Sequence, residues 1–238
     1  MKVALIGYGK MGKEIEKFLL ERGHQIALII DKENSYQLTK ESLYELDVAI
    51  EFTGPHSAKK NIEKCLLAGI PVVSGSTGWY AEMHDIERLT IELKGALLCA
   101  TNFSVGVNIF FEINKRLASL MNHQSNYQVS IEETHHTEKL DAPSGTSITL
   151  AEQIMDECER KKRWVNQASI INDEIGIVSH RINPAPGTHV VSYKSTIDDI
   201  EIIHTAHNRQ GFALGAVIAA EYIANKKGIF TMKDVLGL

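Results

Sequence analysis

Between Glu132 and Thr146 the chain sets two imidazoles, His135 and His136, an ammonium, Lys139, and the turn Ser144-Gly145-Thr146. Imidazole exchanges a proton near neutral pH. Lysine supplies a compact positive charge. Ser-Gly-Thr ahead of an apolar run reads as a helix start, whose N–H groups and hydroxyl suit a carboxylate. Taken singly, each residue has a plainer reading: one histidine structural and the other exposed, Lys139 a surface charge, Thr146 an ordinary helix residue. Their convergence suits protonation of a small substrate bearing carboxylates. His135 and His136 are neighbours near a strand end and point to opposite faces, so one metal ion would not take both. No metal is expected.

A second group opens the chain. Gly7-Tyr8-Gly9-Lys10-Met11-Gly12 follows a strand-like Val3–Gly7 and leads into a helical pattern. Glycines there permit a tight turn, close approach of a pyrophosphate and close helix–strand packing. Asp31, at the end of the next strand, stands where an acid accepts hydrogen bonds from ribose hydroxyls. Lys32 reads either as a solvated lysine or as a contact for the 2′-phosphate of NADPH. Glu51-Phe52-Thr53-Gly54-Pro55 and Gly75-Ser76-Thr77-Gly78 end further strands, as ligand loops of an open sheet or as plain turns. Together the two groups indicate a nicotinamide-dependent reductase of a small anion.

The elements that must position these groups alternate. Strands are predicted at Val3–Gly7, Gln25–Ile30, Val48–Phe52, Pro71–Ser74 and Ala96–Thr101, with helices at Met11–Glu21, His56–Leu67 and within Ala81–Lys94. That pattern predicts an α/β, Rossmann-type parallel sheet. After Phe103 an apolar helix to about Leu120, a strand at Tyr127–Glu133 and a helix at Thr146–Glu159 follow. Strands at Ile175–Asn183, His189–Ile197 and Ile200–Ala206, joined by short turns, predict a second, antiparallel α+β domain, which carries the His135–Thr146 run and hence substrate binding. The apolar helix Phe212–Ala224 is expected to return to the first. The domains are therefore 1–103 with 210–238, and 104–209, with hinges near Phe103 and Arg209 that close when both ligands bind.

The chain has 238 residues, a net charge of −5 and no block of Lys and Arg, which argues against a nucleic-acid partner. Its apolar runs have strand length, short of a membrane span. Val3–Ile6 reads as a strand rather than the core of a secretory signal. Cys65, Cys99 and Cys158 are odd in number and widely spaced, which suits a reducing cytoplasm.

The run His135-His136-x-x-Lys139-x-Asp141-Ala142-Pro143-Ser144-Gly145-Thr146 resembles the signature of the 4-hydroxy-tetrahydrodipicolinate (dihydrodipicolinate) reductase family of lysine biosynthesis. Similar family runs stand at Phe52-Thr53-x-Pro55, Gly75-x-Thr77-Gly78, Asn102–Asn108 and Phe212–Ala216, in the same order. The resemblance implies reduction of a cyclic dicarboxylate by NADH or NADPH in the diaminopimelate pathway. It implies His135 and Lys139 as catalytic proton donors, and His136, Gly145 and Thr146 as substrate-binding. Gly7, Gly9, Lys10, Met11, Gly12, Asp31, Lys32, Gly75, Ser76, Thr77, Ala100, Thr101, Asn102 and Phe103 would bind the cofactor. It also implies a homotetramer built through the second domain's sheet. Lys10 and Lys32 stand where the family often has Arg, which weakens the grip on phosphate. Rival readings are a nucleotide-sensing regulator, a metal-dependent hydrolase using Glu132 or Glu133, and another amino-acid dehydrogenase.

Overall fold

The computed structural model describes residues 1–208 and 210–238; Arg209, expected as a hinge position, lies outside them. The chain divides into two compact units, Met1–Val105 with Gln210–Leu238, and Gly106–Arg209.

The first unit is built on six strands: β1 (Lys2–Ile6), β2 (Gln25–Ile30), β3 (Val48–Glu51), β4 (Val72–Ser74), β5 (Ala96–Cys99) and β11 (Gly228–Phe230). All pair in parallel, in the order β11-β5-β4-β3-β1-β2. Strand side chains alternate faces, and here both faces are apolar, as a doubly covered parallel sheet requires. Val3 and Leu5 join a cluster with Ile15 and Leu19 of α1 (Lys10–Glu21) and Ala213, Ala216 and Val217 of α6 (Gln210–Ile223). Ala4 and Ile6 face the opposite cluster, with Ile62 and Leu66 of α2 (Ala58–Leu67) and Ile86 of α3 (Met83–Glu92). The chain leaves β1 for β2 on one side and then returns to β3 on the other. The strand order thus reverses between β1 and β3, the place where open α/β sheets leave a crevice for ligands.

The second unit carries a five-stranded sheet of order β10-β9-β6-β8-β7, from β6 (Gln128–His135), β7 (Arg163–Val165), β8 (Glu174–Arg181), β9 (Gly187–Lys194) and β10 (Asp199–Ala206). Two helices pack on it, α4 (Val105–Met121) and α5 (Gly145–Glu157). The sheet is mixed, against the antiparallel expectation. β6 runs antiparallel to β9, and β9 to β10, but β6 is parallel to β8 and β8 to β7. The connection from β6 through α5 and β7 is long enough to bring β8 back in the same direction, which a hairpin cannot do. Short β7 and β11, and a closing turn of helix α7 (Met232–Leu236), were also not expected. Each is too short to show a period.

Candidate active site

Gly7, Tyr8 and Gly9 after β1, Asp31 and Lys32 after β2, and Phe52 to Ser57 after β3 line a cavity of about 530 Å³ at the crevice between β1 and β3. The three motif glycines do different work. Gly7 has φ +97°, and a Cβ there would stand 2.2 Å from Phe52 O. A Cβ at Gly12 would stand 2.1 Å from Gly7 O, so α1 could not close on the turn. At Gly9, the N-cap of α1, a Cβ would meet nothing within 4 Å. Gly7 and Gly12 are therefore needed by the fold, while Gly9 leaves bare backbone facing open space at a helix N-terminus, where an anion binds. Asp31 caps the 3₁₀ turn Lys32–Gln37: its Oδ1 accepts the Lys32 N–H at 2.8 Å, and its own N–H donates to Asn34 Oδ1. Asp31 and Lys32 are both exposed.

The ends of β4 and β5 lie side by side, Ser74 opposite Cys99, which brings Gly75-Ser76-Thr77 beside Ala100–Phe103. Behind them sits fully buried Glu51. Ser74 Oγ donates to its Oε2 at 2.6 Å and Ser76 Oγ to its Oε1 at 3.1 Å. The Thr53 N–H and hydroxyl also donate to Oε1. One carboxylate thus ties together the loops after β3 and β4. The Phe103 ring is buried against Phe52, centroids 5.6 Å apart, so only its backbone can reach a ligand. Asn102 Oδ1 accepts the Ser104 N–H.

In the second unit, period-two alternation puts Val129, Ile131, Glu133 and His135 of β6 on the buried face. The face is apolar at first and polar at the strand's end. Glu133 is 1% exposed. The Ser144 N–H donates to both its oxygens at 3.1 Å, Ser147 Oγ to Oε2 at 2.7 Å, Ser179 Oγ to Oε1 at 2.8 Å and Arg181 Nη2 to Oε1 at 3.5 Å. Ser144 is also the N-cap of α5, its Oγ accepting the Ser147 N–H. The carboxylate therefore fixes the helix start that presents Gly145 and Thr146. A Cβ at Gly145 would meet nothing within 4 Å, the same open backbone as at Gly9. Arg181 donates from Nε to Lys139 O and from Nη2 to Asp141 O, clamping the loop that carries Lys139. Lys139 Nζ pairs with both Asp141 oxygens at 2.8 Å.

His135 ends β6, 7% exposed, with Nδ1 3.8 Å from Glu133 Oε2. The His189 ring packs edge-on against it, centroids 5.0 Å apart, and shares a hydrogen bond with Ser144 Oγ at 3.2 Å. Burial would raise the Glu133 pKa, but the serine hydroxyls and the Ser144 amide outweigh it and hold the carboxyl at about 2. Burial lowers His135 below the ordinary histidine value; Glu133 and Asp141 oppose that, Lys139 and Arg181 add to it. Burial, with His135 beside it, pushes His189 down to about 4. Glu133, His135 and His189 could each offer one ligand atom to an ion, all within 4.8 Å of one another. The lone pairs of Glu133 are already occupied by its donors, so the geometry favours a charged scaffold over a metal centre.

The sequence profile of "dihydrodipicolinate reductase, N-terminus" matches residues 1–103, and that of its C-terminus residues 106–236. A 4-hydroxy-tetrahydrodipicolinate reductase of Christiangramia forsetii is 49% identical over 99% of the chain and 98% of its own. The chain belongs to the dihydrodipicolinate reductase family. A reductase of the same name from Methanosarcina acetivorans is 36% identical over 99% of the chain and 89% of its own length. Among solved structures, a dihydrodipicolinate reductase from Paenisporosarcina sp. TG-14 shares the fold, with TM-score 0.76, 23% identity and 97% of each chain covered.

For this member of the reductase family, Gly7, Gly9, Asp31 and Lys32 share one cavity, whereas Lys10, Met11, Gly12, Gly75–Thr77 and Ala100–Phe103 are not among its lining residues. His135, Lys139, Gly145 and Thr146 are linked through Glu133, Arg181 and Ser144; His136 follows β6, half-buried. Tyr8, Ser35, His56, Ser57 and Asn61 line the cavity without having been singled out. Ser179, Arg181 and His189 were missed entirely. Ser179 and His189 stand directly opposite Glu133 on the two neighbouring strands, and Arg181 opposite His135. Only register reveals that, and nothing in the local sequence carries it.

Proposed function

We propose that the protein reduces 4-hydroxy-tetrahydrodipicolinate to tetrahydrodipicolinate with NADH or NADPH, in diaminopimelate and lysine biosynthesis. One observation carries the reading: the proton donor His135 and the open helix start at Gly145-Thr146 are set against one buried carboxylate, Glu133, and Arg181, which also reaches it, clamps the loop that carries the Lys139 ammonium. A cyclic dicarboxylate that must gain a proton needs that set. The α1 N-terminus over Gly9 and the acid Asp31 suit a dinucleotide. In this reading Gly7, Gly9, Lys10, Met11 and Gly12 hold its pyrophosphate, Asp31 the ribose and Lys32 a 2′-phosphate when present. Gly75-Ser76-Thr77 and Ala100–Phe103 bind its nicotinamide end.

When bound, the nicotinamide supplies a hydride to ring C4 of the substrate. His136, Gly145 and Thr146 bind the two carboxylates, and Lys139 neutralises one of them. His135 and Lys139 share delivery of the proton to the adjacent carbon, with loss of water from the hydroxylated form. The Paenisporosarcina reductase was solved with dipicolinate bound, and a planar pyridine-2,6-dicarboxylate is expected to compete with substrate here. A homotetramer formed through the second sheet would cover Ile200 and Ile203 of edge strand β10, 39% and 59% exposed. The three cysteines are unpaired, which suits the cytoplasm; no helix among the described residues is long and apolar enough to cross a membrane. The test is consumption of NADH and NADPH with substrate made from pyruvate and aspartate semialdehyde by the preceding synthase. Consumption should need both precursors, and none with either cofactor would overturn the reading.

A further inference from the structure

The acid at His135 stands in a place that works against its own protonation. It is buried, and Lys139 from the following loop and Arg181 from β8 oppose a charge on it. His189 from β9, which burial pushes down to about 4, offers no negative charge. Asp141 from the loop is engaged with Lys139. Glu133 is the acid of β6 that shares the buried face with His135, its Oε2 3.8 Å from His135 Nδ1, while Glu132 lies exposed on the opposite face; that nitrogen is buried with no hydrogen-bond partner among the described residues. The other ring edge faces β9, where a Cβ at Gly187 would stand 3.2 Å from His135 Nε2. Glycine there spares the ring that close contact.

We propose that Glu133 is a positioning residue for the reduction: its carboxylate is the counter-charge that lets His135 be protonated, while the same carboxylate anchors Ser144, so that the acid and the anion-binding helix start are held in fixed relation. The proposal rests on the assignment of His135 as the acid. The observations that carry it are geometric. Glu133 has donors on both oxygens from four residues, Ser144, Ser147, Ser179 and Arg181, which leaves its own proton no place and makes it an anion throughout the working range. An opposite charge at this distance moves a histidine pKa by roughly 1–3 units. A dianionic substrate then adds to a field that Glu133 has already turned toward protonation, instead of having to overcome two cations alone. Because Ser144 hangs on the same oxygens, a shift of the helix start displaces the counter-charge too.

The experiment is Glu133→Gln in the full chain, which keeps shape and removes charge. The His135 imidazole is followed by ¹⁵N NMR titration without ligands, its signal assigned by its loss in His135→Gln. The pKa should fall by about 1–3 units relative to the parent. The basic limb of the kcat profile, which reports the protonated acid in the complex, should move down with it, while NADH affinity holds. An unshifted titration, even with a lowered kcat, would make Glu133 a structural brace and overturn the proposal. Should Glu133→Gln not melt cooperatively, Glu133→Asp decides: the withdrawn carboxylate should lower the pKa by a smaller, measurable step, and no change overturns the proposal. If the parent turned no substrate over, the functional reading would fail, and the titration would still judge Glu133.

Discussion

Glu51 and Glu133 occupy matching places in two unlike sheets. Both are buried near the end of a strand, and both collect hydrogen bonds from the serines of neighbouring segments. Around Glu51 the donors are hydroxyls and an amide, from Thr53, Ser74 and Ser76. Around Glu133 stand serines, one guanidinium and two imidazoles. Neutral donors fix the shape of a loop and leave little to titrate. Charged and titratable neighbours couple shape to protonation. In the proposed reading, the unit with the cavity between β1 and β3 is thus built for rigidity, and the unit that carries the histidines for proton exchange.

The largest expected effects lie on the proton side. His135→Gln should lower kcat by roughly 10²–10⁴, the usual worth of a positioned acid, with NADH affinity unchanged by fluorescence titration. Lys139→Ala should lower kcat and raise KM together, because it removes charge from ground and transition states alike. Near-parental kcat in both variants would return the segment to a structural role and dissolve the contrast.

Acid stability should separate the units next. His189 is driven to about 4 by burial. Folding therefore favours its neutral form, and that stability is present above about pH 6.5 and lost as pH falls through about 4. Glu133 follows lower: its contribution is present above about pH 4.5 and lost as pH falls through about 2. Each is on the order of 3 kcal/mol. His189→Gln should flatten the fall in melting temperature between pH 6.5 and 4. A parental slope in that variant would mean the histidine is protonated in the folded state.

Glu51→Gln tests the other side. A carboxamide cannot accept from every donor that Glu51 serves, so one is left unpaired, at roughly 1–3 kcal/mol. The variant should melt earlier and bind NADH more weakly, with the pH profile of kcat unmoved. A shifted profile would show that Glu51, like Glu133, governs charge.

Much of the fold and the chain positions of the candidate site residues were legible in the sequence, whereas the surroundings of Glu51 and Glu133 were not, and that has one cause. Strand–helix alternation through Cys99 reveals the parallel sheet, because each element is long enough to show its period. Gly7, Gly9, Gly12 and Asp31 are readable because a turn and a strand end fix their places along the chain. His135, Lys139 and Gly145-Thr146 lie within one short run. Ser179, Arg181 and His189 come from strands more than forty residues downstream of β6, and meet Glu133 and His135 only through pairing register. The mixed sheet was misread for the same reason, since strand direction depends on a crossover that local pattern does not record.

Three glycines sharpen the comparison at lower cost. Gly12→Ala should destabilise the first unit, because its Cβ would stand 2.1 Å from Gly7 O. Gly9→Ala and Gly145→Ala meet open space, so both should melt close to the parent. Gly9→Ala should weaken NADH alone, and Gly145→Ala should raise the substrate KM alone. Equal effects of each on both ligands would show that the two open helix starts do not divide the work.

The smallest effect concerns cofactor choice. Asp31 holds the 3₁₀ turn through Oδ1, and its charge favours ribose hydroxyls over a 2′-phosphate. Lys32, beside it and exposed, offsets part of that repulsion. We expect turnover with both cofactors, NADH at least as efficient. Lys32→Ala should raise the NADPH KM by the equivalent of about 1 kcal/mol, one exposed charge-assisted contact, and leave NADH alone. The ratio of kcat/KM for the two cofactors, in parent and variant, is the measurement. A parent favouring NADPH 100-fold would mean that the lysine, not the acid, sets the choice, and that the first unit too is governed by a charge.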